Sequence, residues 1–476
     1  MSEARARILV FCTSAAVLVL EILAGRLMAP YVGVSLETFT AIIGTILAGI
    51  AIGSAIGGRL ADRYDPAALI GPALAIGGAL AWWSLWIVGV LGPELGSEPA
   101  AIVVLATVSF FAPATVLTAI SPMAAKLRLN SLEDTGKVVG GLSAFGTAGA
   151  LFGTFITGFV LVAAAPTRPI VMIVGALLVA WGLFETVRVS RKAPSATLVV
   201  VLLASFGIGA TADSPCEFES AYFCGRVVGD EEDASVRYLI LDTLRHAAVD
   251  LDDPTNLEFR YIRLIADVID STSEGPIDAL HLGGGGFSVP MWVEATRPGS
   301  YNQVLEIDDV LLDVARDELG FATGPDMEVT IGDGRLAFDD LADDSFDVVV
   351  GDAFGGQAVP WHLTTTEFIA SVDRVLRDDG IYVMNIIDGD QNRFAEWEVA
   401  TLRDNFDFVE VIVHPDGIDR QVRNQILVAS DQPIPDLSFD PADGLLVDDV
   451  DAFIDGGKVL RDDFAPVEQL AANPTS

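Results

Sequence analysis

The residues best suited to chemistry lie in the second half of the chain, each just past a run of apolar residues. Four consecutive glycines, Gly283, Gly284, Gly285 and Gly286, follow "DALHL". Glu306 and Asp308 follow "QVL", Asp333 and Gly334 stand in "IGDGR", and Asp352 closes "FDVVVGD". A glycine run lets a ligand approach main-chain N–H groups, because no Cβ stands in the way. A carboxylate about twenty residues on, at the end of the next strand, can accept hydrogen bonds from both hydroxyls of a ribose. Each feature alone also fits a tight turn or ordinary strand-end polarity. The set in this order points to a nucleoside cofactor.

Such residues need elements that end together. From residue 278 apolar runs of strand length alternate with helical spacing: "DALHL", "QVLEID", the helix "VLLDVARDEL", "MEVTIGD", "FDVVVGDAF", the helix "TTEFIASVDRVL" and "GIYVMNII". That alternation predicts an α/β, Rossmann-like domain over 273–430, a parallel sheet with helices on both faces. Ligands of such sheets bind beyond the carboxyl ends of the strands. Before it, "AYFCGRVV", "VRYLILDT" and "HAAVDL" read as strands of a small β-rich domain over 214–272, closed by the helical "LEFRYIRLIADVID". Residues 431–476 read as an acidic surface extension with a disordered end.

The first 213 residues are of another kind. The chain has 476 residues, 51% hydrophobic, and a net charge of −38. Of its 66 acidic and 28 basic residues, 55 and 16 lie beyond residue 213, so the front is near neutral and the back very acidic. Apolar runs close to the ~20 residues needed to cross a bilayer recur seven times, at about 8–28, 38–58, 67–91, 99–121, 139–163, 168–187 and 196–212. The fold class expected is therefore a multi-pass helical membrane domain followed by the two soluble ones. Gly49, Gly53 and Gly57, and Gly149 and Gly153, have the spacing that lets helices pack closely. Loop cations put the N-terminus in the cytoplasm: Arg5, Arg7, Arg59, Arg63, Lys126, Arg128, Lys137, Arg188, Arg191 and Lys192 fall on one side. Seven spans then place the acidic half outside, in a protein of the cell membrane.

Three features of the membrane half stand out. Glu21 lies within the first span, where a carboxylate faces either a partner or a functional cavity; Arg26 follows at its end. Cys216 and Cys224 follow the last span; a disulfide suited to an oxidising exterior and two unpaired thiols both fit. Two Cys without a nearby His make a poor metal set, and no metal is expected. The acidity fits a surface adapted to high salt better than an acidic site, because Asp is spread over every loop while Lys occurs only four times. Nucleic acid is excluded as a partner, since a polyanion is repelled and no basic stripe is present.

At "LHLGGGG", "VLEID", "IGDGR" and above all "GDAFGGQAVPWHLTTTEF" the soluble half resembles the spermidine synthase family. With "LEILAGRLMAPYVG", "GIAIGSAIGGRLADR" and "GALFGTFITGFVL", the chain from about residue 15 to 430 is similar to the membrane-fused branch of that family. The resemblance implies a class I methyltransferase-like fold preceded by a small β domain. It implies that decarboxylated S-adenosylmethionine, or S-adenosylmethionine, sits on Gly283–Gly286, Glu306, Asp308, Asp333 and Gly334. Glu306 would meet the ribose and Asp333 the adenine. Asp352 would be the catalytic group at the reacting amine, with Tyr261, His246 and Gln357 on the substrate.

There are departures. Polyamine enzymes carry an acidic residue where Gly286, Gly355 and Arg263 stand here. The resemblance thus implies a membrane-embedded transferase moving an aminopropyl or methyl group to a small-molecule or membrane-borne acceptor that need not be a polyamine. A second copy of the chain, in a homodimer, and the lipid bilayer are the other expected partners. The alternative is a non-catalytic transporter, sensor or scaffold with a degenerate ligand-binding domain; "GGRLADRYD" is similar to a loop motif of major-facilitator transporters. The donors are made in the cytoplasm, which sits uneasily with an exterior soluble half.

Overall fold

The front of the chain is helical because its apolar residues run on without a strand's alternation or frequent turn signals. In the structure, a computed structural model, residues 1–96, 98–129, 135–356, 358–389, 391–415, 423–454 and 456–471 are described. Among the described residues, six helices are long and apolar enough to cross a membrane: Glu3–Val32, Leu36–Arg63, Pro66–Leu95, Pro99–Lys126, Thr135–Ala164 and Thr167–Ser190. The seventh expected span forms a helix over Ala196–Ala210, 15 residues long. At 1.5 Å per residue that is about 22 Å, short of a ~30 Å hydrocarbon core. The spaced glycines let backbones touch. A Cβ on Gly53 would lie 2.2 Å from the Thr115 carbonyl oxygen, and one on Gly149 would lie 2.1 Å from that of Phe11.

Contacts divide the chain into two compact units, Met1–Arg226 with Leu241–Leu244, and Val227–Ile240 with Arg245–Ser476. Four short strands, β1 (Phe218–Glu219), β2 (Cys224–Gly229), β3 (Val236–Leu241) and β4 (Leu244–Asp250), pair in chain order. Cys216 and Cys224 are joined in a disulfide at the start of this stretch.

The large sheet has the order β12-β10-β11-β9-β8-β5-β6-β7. Its strands are β5 (Asp278–Leu282), β6 (Tyr301–Glu306), β7 (Met327–Ile331), β8 (Phe346–Gly351), β9 (Leu376–Asp388), β10 (Phe408–Val413), β11 (Arg423–Ser430) and β12 (Leu445–Leu446). β5 to β9 run parallel, as the alternation predicts. β10, β11 and β12 are antiparallel. The link from β10 to β11 is shorter than the dozen or more residues of a crossover, so the strands must reverse. Helices cover both faces. Arg260–Thr272 turns Ile262, Ile265, Ala266 and Ile269 onto one face, and Ser288–Thr296 adds Val289, Trp292 and Val293. Thr366–Val375 and Arg393–Arg403 cover the other with Phe368, Ile369, Val372, Phe394, Val399 and Leu402.

The stretch beyond residue 430 is more than surface. Leu460 and Val467 are buried in the second of these cores, and β12 extends the sheet. Asp462 takes a paired bond from Arg335, both contacts 2.7 Å.

One residue of that core conflicts with its surroundings. Glu398, on the helix Arg393–Arg403, is fully buried, and neither carboxyl oxygen has a hydrogen-bond partner among the described residues. Burial pushes its pKa well above the ordinary carboxyl range, so it is held as the neutral acid. The unfolded chain ionises there and the folded one does not, so this group erodes stability as pH rises above the ordinary carboxyl pKa toward the folded value. Glu398→Leu is expected to raise stability by about 1–3 kcal/mol at neutral pH, the cost of an unmade buried hydrogen bond. Melting of the full-length protein checks this. A lower midpoint would mean that the carboxyl makes a bond worth keeping.

Candidate active site

The loop after β5 is shaped by what lies against it. Gly283 has φ +95°, and a Cβ there would lie 2.4 Å from the Asp352 carbonyl oxygen. The strand ends are stitched by Gly283 N–H donating to Leu305 O and Asp352 N–H donating to Leu282 O, each 2.9 Å. No side chain fits at Gly286 either, since its Cβ would lie 2.4 Å from that of Ala247 on β4. A larger side chain at Gly286 would require Ala247 to move. Phe287 closes the loop in a left-handed conformation, φ 58°, and stacks on Phe321 with centroids 4.0 Å apart.

Glu306, at the end of β6, reaches back under the loop. Its Oε2 accepts from Gly284 N–H at 2.8 Å and Gly285 N–H at 3.3 Å, and its Oε1 from Asp308 N–H at 2.8 Å. Burial raises its pKa, and the three N–H donors oppose that rise. Asp308 caps the helix Asp309–Glu318 by accepting from Val310 N–H at 3.1 Å. Asp333 caps the short turn Gly334–Ala337, accepting from Leu336 N–H at 3.2 Å, and its other oxygen lies 3.4 Å from His362 Nε2. Gly334 packs so tightly that a Cβ would lie 2.2 Å from Leu282.

Asp352 follows β8. Its Oδ1 accepts from Asn385 Nδ2 on β9 at 2.7 Å, and Asn385 Oδ1 accepts from Asn424 Nδ2 on β11 at 3.0 Å. Burial pushes the Asp352 pKa up to about 6, against the opposing hydrogen bond from Asn385. Tyr261, from the helix Arg260–Thr272, is close enough for the Asp352 charge to help burial hold its hydroxyl protonated. His246 on β4 lies against Gly285, 3.5 Å from a Cβ built there, and burial lowers its pKa to about 4, so it is neutral. Burial therefore sets a neutral imidazole, a neutral phenol and a carboxylate that ionises near pH 6 around one loop.

The structure thus brings Gly283–Gly286, Glu306, Asp352, His246 and Tyr261 together, with Asp308, Asp333 and Gly334 along the same row of strand ends. Gln357 lies outside the described residues. Arg263 points elsewhere: it forms a bidentate pair with Asp443, at 2.6 and 2.8 Å, and donates to the Leu257 and Glu258 carbonyls. Its charge is neutralised by the chain beyond β11. Asn385, Asn424 and His362 escape the sequence reading. The amides sit in otherwise apolar strand runs, and a polar residue there is the one signal that could have singled them out.

In the front unit, Glu21 is half-buried on the first helix. Arg26 does not pair with it. Arg26 donates to the Ala221 and Ser220 carbonyls at 2.8 and 2.5 Å and lies 4.0 Å from Glu219, so it ties the end of the helix to the disulfide-closed stretch. Glu185, also unremarked in the sequence, is buried and bonded to Arg5 and to Trp181 Nε1, the latter at 3.2 Å. Among the described residues no group of three or more His, Cys, Asp or Glu is placed to hold a metal.

With this geometry in hand, residues 258–393 match the family model "Spermine/spermidine synthase domain". A polyamine aminopropyltransferase of Vibrio vulnificus (strain CMCP6) is 30% identical over 151 residues, 31% of this chain and 49% of that protein. The chain thus spans about half the length of that relative. An eEF1A lysine and N-terminal methyltransferase of Mus musculus is 30% identical over 123 residues, 24% of this chain and 18% of that protein. A crystal structure of a probable spermidine synthase from Corynebacterium glutamicum ATCC 13032 aligns over 54% of this chain and 99% of its own, with 25% identity and a TM-score of 0.49.

Proposed function

We propose that this protein is a membrane-embedded transferase that moves an aminopropyl group from decarboxylated S-adenosylmethionine to an amine. The observation that carries the reading is Asp352: a half-buried carboxylate at a strand end, fixed by Asn385, beside Tyr261 and the glycine loop. When bound, the donor supplies a carbon made electrophilic by its neighbouring sulfonium. The residues fit such a donor. The glycine loop offers main-chain approach, the Glu306 oxygens lie at the loop where a ribose would be held, and Asp333 is placed at the next strand end for a base. An amine attacks only when it has a lone pair, so its ammonium form must lose a proton. Asp352 attracts the ammonium, orients it and takes that proton.

Methyl transfer from S-adenosylmethionine is a second reading, favoured by the likeness to the mouse methyltransferase. Full-length protein in high salt decides between them. Calorimetry with each donor, and chromatography for methylthioadenosine or S-adenosylhomocysteine after adding amines, distinguish the two. Methylthioadenosine is the expected product; S-adenosylhomocysteine would establish the methyl reading. Neither product with both donors unbound would leave a sensor or scaffold.

We read Ala196–Ala210 with its flanks as a seventh span, which sets the transferase unit outside the cytoplasm. The Cys216–Cys224 disulfide just beyond it supports that side, since disulfides persist in oxidising compartments. A membrane-impermeant thiol reagent applied to intact cells is expected to label Cys216 and Cys224 only after reduction. Labelling that requires permeabilised cells would place the unit inside.

A further inference from the structure

The helices Leu36–Arg63 and Pro99–Lys126 separate toward the end at which both begin, and an apolar cleft opens between them. We propose that this cleft binds a long-chain amine of the bilayer, with its hydrocarbon chain between the helices and its ammonium at Glu37. The inference rests on the membrane reading of the front unit and is independent of the transferase reading.

The first ground is shape. Further along, the two helices touch. A Cβ on Gly49 would lie 2.9 Å from the Ala114 Cβ, and one on Gly57 would lie 2.3 Å from the Ala119 carbonyl oxygen. Close approach of this kind needs a glycine. Gly44 has no such neighbour: nothing stands within 4 Å of a Cβ built there. It lines the cleft, which holds about 610 Å³. One wall runs from Leu36 to Ala48 and the other from Pro99 to Phe111. Near the floor the Thr45 and Thr107 hydroxyls bridge the walls by a hydrogen bond of 3.3 Å, so neither is left to call for a polar ligand group. At 1.5 Å per residue the first wall is about 18 Å long. That is a little over half of a ~30 Å hydrocarbon core, the depth reached by one lipid chain.

The second ground is charge. Glu37 is the one charged side chain lining the cleft, and Glu98 precedes Pro99 at the same end. Both are exposed, and neither has an ion pair or hydrogen-bond partner among the described residues. Each stands at a helix start, which carries roughly half a positive charge. The two starts therefore offset about one of the two negative charges. The mouth keeps a net negative charge, and Glu94, at the end of the helix Pro66–Leu95, adds to it. An ammonium answers that charge. A phosphate or sulfate head is repelled, and the repulsion is stronger beside an apolar phase than in water. A lipid held this way brings an amine to the membrane face of the protein.

The test uses the full-length protein in phosphatidylcholine nanodiscs. The probes are octadecylamine with a diazirine on its chain and an octadecyl sulfate of the same design, and mass spectrometry locates the cross-links. The amine is expected to label residues 40–48 and 103–111 about tenfold or more above the sulfate. Unlabelled octadecylamine should remove that labelling. Gly44→Leu and Val103→Trp fill the cleft from one wall each and should abolish it. Glu37→Gln combined with Glu98→Gln should bring the amine and the sulfate level. Melting identifies a variant that has failed to fold, and two filling variants are used so that one loss does not remove the test. Equal labelling of the wild type by amine and sulfate overturns the inference, as does no labelling at the cleft. Labelling that survives both filling variants overturns it too, as does competition by phosphatidylethanolamine equal to that by octadecylamine. A protein that alkaline carbonate strips from membranes removes the membrane reading, and this inference with it.

Discussion

Asp352→Asn is expected to lower kcat by about 10²- to 10⁴-fold, the usual share of a positioned base, with little change in donor affinity. The substitution is nearly isosteric, and Asn385 Nδ2 can still donate to the remaining oxygen, so the ladder and the strand ends stay in place. The charge that attracts the ammonium and the site that accepts its proton are both lost. The wild type carries its own signature. Because burial pushes the Asp352 pKa up to about 6, the base is protonated and idle below that pH and available above it. The acid limb of kcat/KM should therefore rise with pH through about 6, and any residual rate of the variant should lack that limb. Methylthioadenosine release from pH 5 to 8 measures both. A variant within a few-fold of wild type would remove Asp352 from the chemistry.

Glu306→Gln should weaken donor binding by about 100-fold or more, by calorimetry. Glu306 accepts from three main-chain N–H groups with its two oxygens, and a glutamine amide has one oxygen. Whichever way it turns, an NH2 group faces either the glycine loop or Asp308 N–H. Hydrogen bonds to a charged group are worth about 1.5–3 kcal/mol each, and a ribose hydroxyl would lose its charged partner too. Melting of the variant separates loss of the site from loss of the fold. Undiminished affinity in a folded variant would place the donor elsewhere.

How far the sequence discloses this molecule depends on how local each cause is. β5 to β9 and their helices are legible because burial on both faces writes long apolar runs, and helical spacing separates them. Gly283–Gly286, Glu306, Asp333 and Asp352 are legible because each ends such a run. The antiparallel β10 and β11 are not, since nothing in either strand records its direction. Asn385 and Asn424 become partners only when β9 and β11 pair, and Arg263 meets Asp443 only because the chain beyond β11 folds back over the helix Arg260–Thr272. Residues 431–476 read as surface because acidic residues recur between short apolar stretches, yet Leu460 and Val467 are buried. The short Ala196–Ala210 is a boundary matter: the apolar run continues past residue 210, but the helix does not.

Leu460 and Val467 also set a schedule. A chain made from its N-terminus at roughly 5–20 residues per second completes the helices Thr366–Val375 and Arg393–Arg403 about 3–11 seconds before Leu460 exists. Through that interval the face covered by Thr366–Val375 and Arg393–Arg403 is missing part of its packing, and Asp462 is not yet there to hold Arg335. The newborn second unit therefore waits with an open seam, and whatever attends nascent chains has that interval in which to shield the seam or cut it.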